Sequence, residues 1–346
     1  MTVEPVTTSA VEAPRRRRRG GGGREGERAM VPPAIFTSYY GRPVVKASPW
    51  ENDIPAYFFL GGLAAGSSLL AAGADLRGLP KLRRSARIAA LVGGAAGSAA
   101  LIHDLGRPAR FLNMLRTAKP TSPMSMGTWV LAVFGPAASL AGAAEIAAML
   151  PLRVPIASRI LDTGARPAGV FAAALAPALA SYTGVLLSDT ATPAWHAAHR
   201  ELPFVFVASA AASAGGLAMI TTSVDQAGPA RRMAAGGAIV ALAMEHRMEQ
   251  SMGLSAETLH SGKAKRFMDA SRALAVVGAL GTVVIGGRTR GGAALAGAAL
   301  VLGSVCTRFA VFEAGQASAR DPRYTVIPQR ARLERGAARS RQPNTT

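Results

Sequence analysis

Long apolar segments, separated by short charged connections, follow one another along most of the chain. Eight of them approach the length of a transmembrane helix, because a hydrocarbon core of about 30 Å requires roughly 20 apolar residues. The eight segments are residues 54–74, 86–104, 128–149, 168–187, 203–223, 231–250, 271–287 and 292–312. They lack the ten-residue alternation of a transmembrane β-strand. The pattern therefore predicts an all-α membrane protein with eight transmembrane helices.

The amino-acid composition agrees with this pattern. Hydrophobic residues make up 49% of the 346 residues and charged residues 17%, whereas a soluble domain carries about 25% charged residues. Glycines recur four positions apart at Gly62 and Gly66 and at Gly93 and Gly97. This spacing lets helix backbones approach closely in lipid, although a chain rich in alanine and glycine would contain such pairs by composition alone. Under either interpretation the segments pack as a helical bundle.

The formal net charge of +19 comes mainly from the two tails and the connections. Arg15 to Arg19 precede Gly20 to Gly23, and the basic residues have no interleaved aromatic side chains, so nucleic-acid binding is not expected. Residues 1–49 are predicted to form a disordered basic amino-terminal arm, and residues 315–346 a disordered basic tail. Both are expected to lie against anionic membrane lipid.

The distribution of basic residues also bears on orientation in the cell membrane. The connection between the first and second segments is compactly basic, which favours a cytoplasmic location for that connection. The arginine run of the amino-terminal arm favours the opposite arrangement, because its translocation would be unfavourable. We expect a multi-pass cell-membrane protein with both termini in the cytoplasm.

The two halves of the chain repeat the same features in the same order. Asp53-Ile54-Pro55 opens the first segment as Glu201-Leu202-Pro203 opens the fifth, and a glycine pair follows in each. The second and sixth segments both follow paired arginines and end in a histidine beside an acid. Four helices per unit is an even number, which makes the two units parallel repeats. We therefore predict two tandem four-helix bundles, residues 50–190 and 191–314.

Ionisable side chains inside apolar segments are costly to bury and usually mark a functional site. The candidates for a proton path are Asp75, Glu145, Glu245 and His246. Asp75 lies at the end of a segment, where a solvated or capping carboxylate is the simpler interpretation. Glu145 lies within a segment, so a proton relay and a buried ion pair are its two alternatives.

The connection between the second and third segments carries the densest polar motif. His103-Asp104-Leu105-Gly106-Arg107-Pro108 opens it, and the stretch 119–127 closes it. Its prolines and glycine indicate a rigid irregular loop, in which the aspartate and arginine neutralise each other. The same residues place an acid, a histidine and a base near the mouth of the bundle, as a proton-coupled ligand would require.

Three motifs stand out when this region is read together with the fourth segment. They are Asp104-Leu105-Gly106-Arg107-Pro108 with Arg110-Phe111, Thr121-Ser122-Pro123-Met124-Ser125-Met126-Gly127, and Ser181-Tyr182-Thr183-Gly184 leading to Pro193 and Trp195. With Trp50 before the first segment, they resemble the NrfD/PsrC family, the membrane subunit of polysulfide-reductase-like molybdoenzyme complexes. The resemblance implies an eight-helix subunit that binds menaquinone or ubiquinone. It also implies docking to an iron–sulfur subunit, which connects to a molybdopterin catalytic subunit.

The resemblance further implies a quinone pocket in the first bundle, on the side where its first helix begins. Tyr182 matches the pocket tyrosine of the family. Some members carry an asparagine and a histidine where this chain has Ile54 and Tyr57, so Asp53 and Tyr57 are the natural substitutes. The predicted quinone-binding residues, which the topology brings to one membrane face, are Asp53, Tyr57, His103, Asp104 and Tyr182. The alternatives are an interfacial role for Tyr182 and a simple pairing of His103 with Asp104.

The residues that the sequence lacks restrict the role of the chain. Cys306 is the single cysteine, so we expect no iron–sulfur cluster in this chain, and the two histidines within segments do not suit a haem. No metal site is expected either. The chain is therefore predicted to be a quinone-reactive component of an oxidoreductase that passes electrons to a partner. An ion-coupled secondary transporter and a purely structural membrane anchor are the two alternatives.

Overall fold

The computed structural model describes residues 42–151 and 155–341, and every regular element in these two ranges is helical. In the first half of the chain the helices are α1 (Asp53–Leu76), α2 (Pro80–Asp104), α3 (Arg110–Met114), α4 (Pro123–Ala147), α5 (Pro155–Ser188) and α6 (Pro193–Ala197). In the second half they are α7 (Leu202–Thr221), α8 (Gly228–Ser251), a 3₁₀ helix (Gly253–His260), α9 (Gly262–Val284), α10 (Arg290–Arg320) and α11 (Arg323–Arg341). The all-helical prediction is confirmed for the described residues.

The long helices coincide with the predicted segments. Within the described ranges, seven helices are long and apolar enough to cross a membrane, namely α1, α2, α4, α5, α7, α9 and α10. The chain is therefore a multi-pass membrane protein. The sixth predicted segment, 231–250, falls on α8, which carries Arg231, Arg232, Glu245 and Arg247. Because α8 is too polar to count with the other seven, the predicted number of eight spans is not confirmed.

Local sequence explains where α2 ends and α4 begins. Gly106 adopts a φ of +66°, a left-handed conformation that terminates helices and favours glycine. Ser122 caps α4, because its hydroxyl oxygen accepts a hydrogen bond from the backbone N–H of Ser125 at 3.4 Å. Pro123 follows in the first turn of α4, where its missing N–H costs no helical hydrogen bond. The connection between the two helices is thus irregular apart from α3, in agreement with the motif.

Corresponding helices have corresponding neighbours in the two halves of the chain. In the first half, α1 contacts α2 and α5, and α4 contacts the same two helices. In the second half, α7 contacts α8 and α10, and α9 contacts the same two helices. The two halves meet where α1 and α5 pack against α7, and where α1 reaches α10. Helix α1 is therefore covered on several sides, and most of it is buried.

The glycines four positions apart lie at close helix crossings. A Cβ atom added at Gly66 would lie 2.8 Å from the carbonyl oxygen of Ala210 on α7, and one at Gly62 would lie 3.2 Å from the same residue's Cβ. On the other side of α1, a Cβ at Gly93 of α2 would lie 3.2 Å from the carbonyl oxygen of Leu60. The small residues therefore let backbones approach to van der Waals contact, the main source of helix association in lipid.

The carboxy-terminal region differs from its prediction. Helix α10 continues to Arg320 and α11 covers Arg323–Arg341, where an irregular basic tail from residue 315 was expected. Arginine and alanine both have high helix propensity, and the last turns of α10 bury Gly315 and Ser318 against α6. Basic composition alone was therefore not sufficient to predict disorder in this region, which is helical to Arg341. Residues 1–41 of the predicted arm lie outside the described residues, and residues 42–52 are irregular.

Gly66→Ala tests the close crossing of α1 and α7. The added methyl group would overlap the Ala210 carbonyl, so the free energy of unfolding in detergent should fall by about 1–3 kcal/mol. Gly73→Ala on the same helix is the matched control, because nothing lies within 4 Å of a Cβ at that position. Thermal unfolding of both variants checks the prediction, and equal stability of the two would contradict the packing described here.

Candidate functional site

A cavity opens among the ends of α1, α2, α4 and α5 that lie on one side of the helical bundle. Its cavity volume is about 80 Å3. Most of its wall is apolar, and this part consists of Trp50, Ile54, Phe58, Leu101, Leu105, Met114, Met124 and Leu186. The polar part consists of Tyr57, Asp104, Thr128 and Tyr182. A mostly apolar cleft with a few convergent polar groups is typical of a small-molecule site.

Two tyrosines and one carboxylate form the polar side of the cavity. Tyr57 is 2% exposed, and its hydroxyl has no hydrogen-bond partner among the described residues. The ring of Tyr182 lies 6.4 Å from the ring of Tyr57 between centroids, tilted by 56°. Asp104 ends α2 at the same cavity. A buried hydroxyl without a partner is destabilising, so a ligand oxygen that accepts its hydrogen bond would be favoured there.

Asp53 and His103 form a separate pair beside the cavity. The Nδ1 atom of His103 lies 2.7 Å from Oδ2 of Asp53, which joins the start of α1 to the end of α2. The His103 side chain is 81% exposed and that of Asp53 36% exposed, and neither lines the cavity wall. The carboxylate that contacts His103 is therefore that of Asp53. The pairing of His103 with Asp104, which the sequence analysis gave as an alternative, is not observed between these two described side chains. An exposed acid–histidine pair of this kind can exchange protons with water.

Gly127 determines where Tyr182 can lie. A Cβ atom at Gly127 would overlap the Tyr182 ring, so the ring packs directly on the backbone of α4. Two residues beyond Tyr182, a Cβ at Gly184 would lie 2.7 Å from Cα of Pro203, which brings α5 equally close to α7. The glycines of these two motifs thus fix α5 between α4 and α7.

Trp195 supports the cavity wall from outside. Its ring stacks on that of Trp50 with 6.0 Å between centroids, and on that of Phe312 at 5.9 Å. The indole N–H of Trp195 donates to the carbonyl oxygen of Val311 at 2.8 Å, which attaches α6 to α10. Trp50, which lines the cavity, is therefore held by an aromatic stack that reaches into the second half of the chain.

Three of the five residues predicted for the site line the cavity, namely Tyr57, Asp104 and Tyr182. Asp53 and His103 lie next to it as a pair. Sequence reasoning missed the apolar contribution of the connection after α2, from Leu105 and Met114, and that of Met124 in the first turn of α4. The available signal was the presence of large apolar side chains in an otherwise polar loop.

Two of the four residues predicted for a proton path lie at the opposite end of the same helices. The carboxylate of Glu145 accepts from Nε of Arg83 at 2.8 Å and from Nη1 of Arg87 at 3.1 Å. Asp75 accepts from Nη1 of Arg83 at 3.2 Å and lies 3.2 Å from Nε of Arg166. Of the two alternatives for Glu145, this geometry favours the buried ion pair.

The other two predicted proton-path residues lie on α8. Glu245 is buried, accepts from the hydroxyl of Thr307 at 3.4 Å and lies 3.9 Å from Nε of Arg272. His246 is exposed, and its Nε2 lies 3.0 Å from Nε2 of Gln250. Among the described side chains, no hydrogen bond links these two residues to Asp75 or Glu145. A proton path through all four stays a prediction.

Comparison with known protein families gives a match over most of the chain. The family model described as polysulphide reductase, NrfD, matches residues 44–318. Comparison with curated proteins gives no match. Within the part of the chain that the structure describes, no group of three or more histidine, cysteine, aspartate and glutamate residues is arranged to hold a metal ion.

Gly127→Ala tests whether the α4 backbone holds Tyr182 in place. The new methyl group would displace the Tyr182 ring, and the free energy of unfolding should fall by about 1–3 kcal/mol. In a Tyr182→Ala background the same substitution should lower the free energy of unfolding much less, because the ring that the methyl group would overlap is absent. Gly135→Ala, in open space on the same helix, is the control. Additive effects in the double variant would contradict this contact.

Proposed function

We propose, since the chain belongs to the polysulphide reductase NrfD family, that it is the quinone-binding membrane subunit of a multi-subunit molybdopterin and iron–sulfur oxidoreductase. The family comprises membrane subunits of polysulphide reductase and related complexes. The observation that carries the finer proposal is the apolar cavity with the unpartnered Tyr57 hydroxyl. A quinone has the matching chemistry, which is a flat apolar ring with two hydrogen-bond-accepting oxygens.

The proposed architecture is eight transmembrane helices in two tandem four-helix bundles, residues 50–190 and 191–314. The equivalent neighbours of α1, α2, α4 and α5 and of α7, α8, α9 and α10 support it. Helix α8 is counted as the eighth span, because α7 and α9 pack against it and several of its small residues are buried. The whole chain is expected in the cell membrane with both termini in the cytoplasm.

Three polar residues of the cavity, and the acid–histidine pair beside it, have proposed roles in quinone binding and proton transfer. Tyr57 and Tyr182 donate hydrogen bonds to the quinone oxygens and orient the ring between the apolar walls. Asp104 accepts a proton when quinol is oxidised and returns one when quinone is reduced. The Asp53–His103 pair, 2.7 Å apart and exposed, passes that proton to or from water. The chemistry needs such groups because two protons accompany the two electrons.

Electrons are proposed to pass between the quinone and an iron–sulfur subunit, and through it to a molybdopterin catalytic subunit. The chain has one cysteine, Cys306, which alone cannot hold an iron–sulfur cluster. The proposed docking surface is the end of the helices where the cavity opens, because electron transfer requires short distances. The proposed quinone is menaquinone or ubiquinone.

The two alternatives are less well supported. A purely structural anchor would not need a buried hydroxyl without a partner at the edge of an apolar cavity. An ion-coupled transporter would need accessible carboxylates near mid-membrane. Asp75 and Glu145, in contrast, contact arginines at one helix end.

Tyr182→Phe and Asp104→Asn test the proposed quinone site in the assembled complex. Both should slow quinone turnover at least tenfold, because each removes a hydrogen-bonding or proton-accepting group. The measurement is steady-state quinone-dependent activity of the purified complex, with subunit composition checked for each variant. Asp189→Asn is the control, since this exposed aspartate follows the end of α5 without lining the cavity. Unchanged turnover in both test variants would refute the proposed site.

A further inference from the structure

The helix ends opposite the quinone cavity carry a cluster of arginines. We define the arginine cluster by its six side chains, which are Asp75, Arg83, Arg84, Arg87, Glu145 and Arg166. Glu145 lies within 4 Å of three of the arginines, and Asp75 within 4 Å of three. These residues come from the end of α1, the start of α2, the end of α4 and the first turns of α5. Four helices therefore converge on one charged centre.

Positive charge exceeds negative charge in this cluster. Its six side chains contribute four guanidinium groups and two carboxylates. The side chains of Arg84 and Arg166 are 48% and 72% exposed, whereas that of Arg87 is 7% exposed. The exposed side chains of Arg84 and Arg166 therefore carry accessible positive charge, whereas Arg87 is buried in ion pairs with the two carboxylates.

The cluster surrounds a cleft with room for a further anion. The cleft has a volume of about 430 Å3, and the charged part of its wall consists of Asp75, Arg83, Arg87, Glu145 and Arg166, so that Arg84 is the one cluster residue outside the wall. The Nε atom of Arg87 is buried without a hydrogen-bond partner among the described residues. Guanidinium groups bind phosphate oxygens through two parallel hydrogen bonds, which makes arginine the preferred phosphate-binding residue.

Exposed apolar side chains neighbour the cleft residues in the sequence, since Ile146 and Met149 directly follow Glu145 and Ala148. Ile146, Met149 and Leu150 at the end of α4, and Ile160 on α5, are each at least 38% exposed. A free phosphate ion would gain nothing from these side chains, whereas acyl chains would pack against them. The ligand that fits both parts of this surface is therefore amphiphilic, with an anionic head group.

We infer that the arginine cluster is a binding site for the phosphodiester head group of an anionic membrane phospholipid. The phosphate contacts Arg166 on the cleft wall and Arg84, whose Nε atom lies 3.7 Å from Oε2 of Glu145 on that wall, and the acyl chains lie along the exposed ends of α4 and α5. The site is at the other end of α1, α2, α4 and α5 from the cavity, and it does not depend on quinone binding.

Native mass spectrometry of the detergent-purified full chain tests this site. Phosphatidylglycerol and phosphatidylcholine are titrated separately, and bound lipid is counted. Wild-type protein should retain phosphatidylglycerol in preference to phosphatidylcholine. Arg84→Gln with Arg166→Gln should weaken phosphatidylglycerol binding by about fivefold for each lost arginine. Arg84→Lys with Arg166→Lys keeps the charge but loses the paired hydrogen bonds, so its affinity for phosphatidylglycerol should lie between that of the wild type and that of the glutamine pair.

Two controls make the result decisive. Arg77→Gln with Arg232→Gln removes two exposed arginines from a separate cleft at the same helix ends, and it should leave phosphatidylglycerol binding unchanged. Equal weakening by this pair would overturn the site in favour of general surface charge. Thermal unfolding with inorganic phosphate separates lipid from free anion. Stabilisation by phosphate alone that matches the effect of phosphatidylglycerol would overturn the lipid assignment.

Discussion

Close approach of helix backbones in lipid is the constraint on which the rest of the structure depends. Apolar side chains gain little by leaving one apolar medium for another, so helices in lipid associate through dispersion contacts at short range. Glycines at 62 and 66 bring α1 against α7, and those at 93 and 97 bring α2 against α1. Helix α1 therefore serves as the common packing surface for both halves of the chain.

This packing gives the two ends of α1, α2, α4 and α5 different chemistry. At one end, a glycine on α4 admits the Tyr182 ring, and the tyrosines meet beside an apolar cavity. At the other end, Asp75 and Glu145 are neutralised by arginines, because two buried carboxylates could not persist there alone. The mostly apolar cavity is thus at one end of these helices, whereas the charged side chains are concentrated at the other.

The sequence predicted those features that depend on local pattern. Helix positions follow from apolar segment length, whereas Tyr57, Asp104 and Tyr182 were predicted to lie together from the family resemblance and the helix topology. The partner of His103 could not be predicted, because it depends on how α1 and α2 are rotated about their axes. The pairing of Glu145 with Arg87 joins residues far apart in the chain, so no local pattern identifies it. Helix α11 was missed because its basic composition suggested disorder.

The central claim is that this chain binds quinone and docks to an iron–sulfur partner. The most direct measurement is purification of the native complex from membranes, followed by identification of its subunits and extraction of bound quinone. Our account predicts that an iron–sulfur protein and a stoichiometric quinone co-purify with the chain. Isolation of the chain as a homo-oligomer, without quinone and without an iron–sulfur partner, would contradict it.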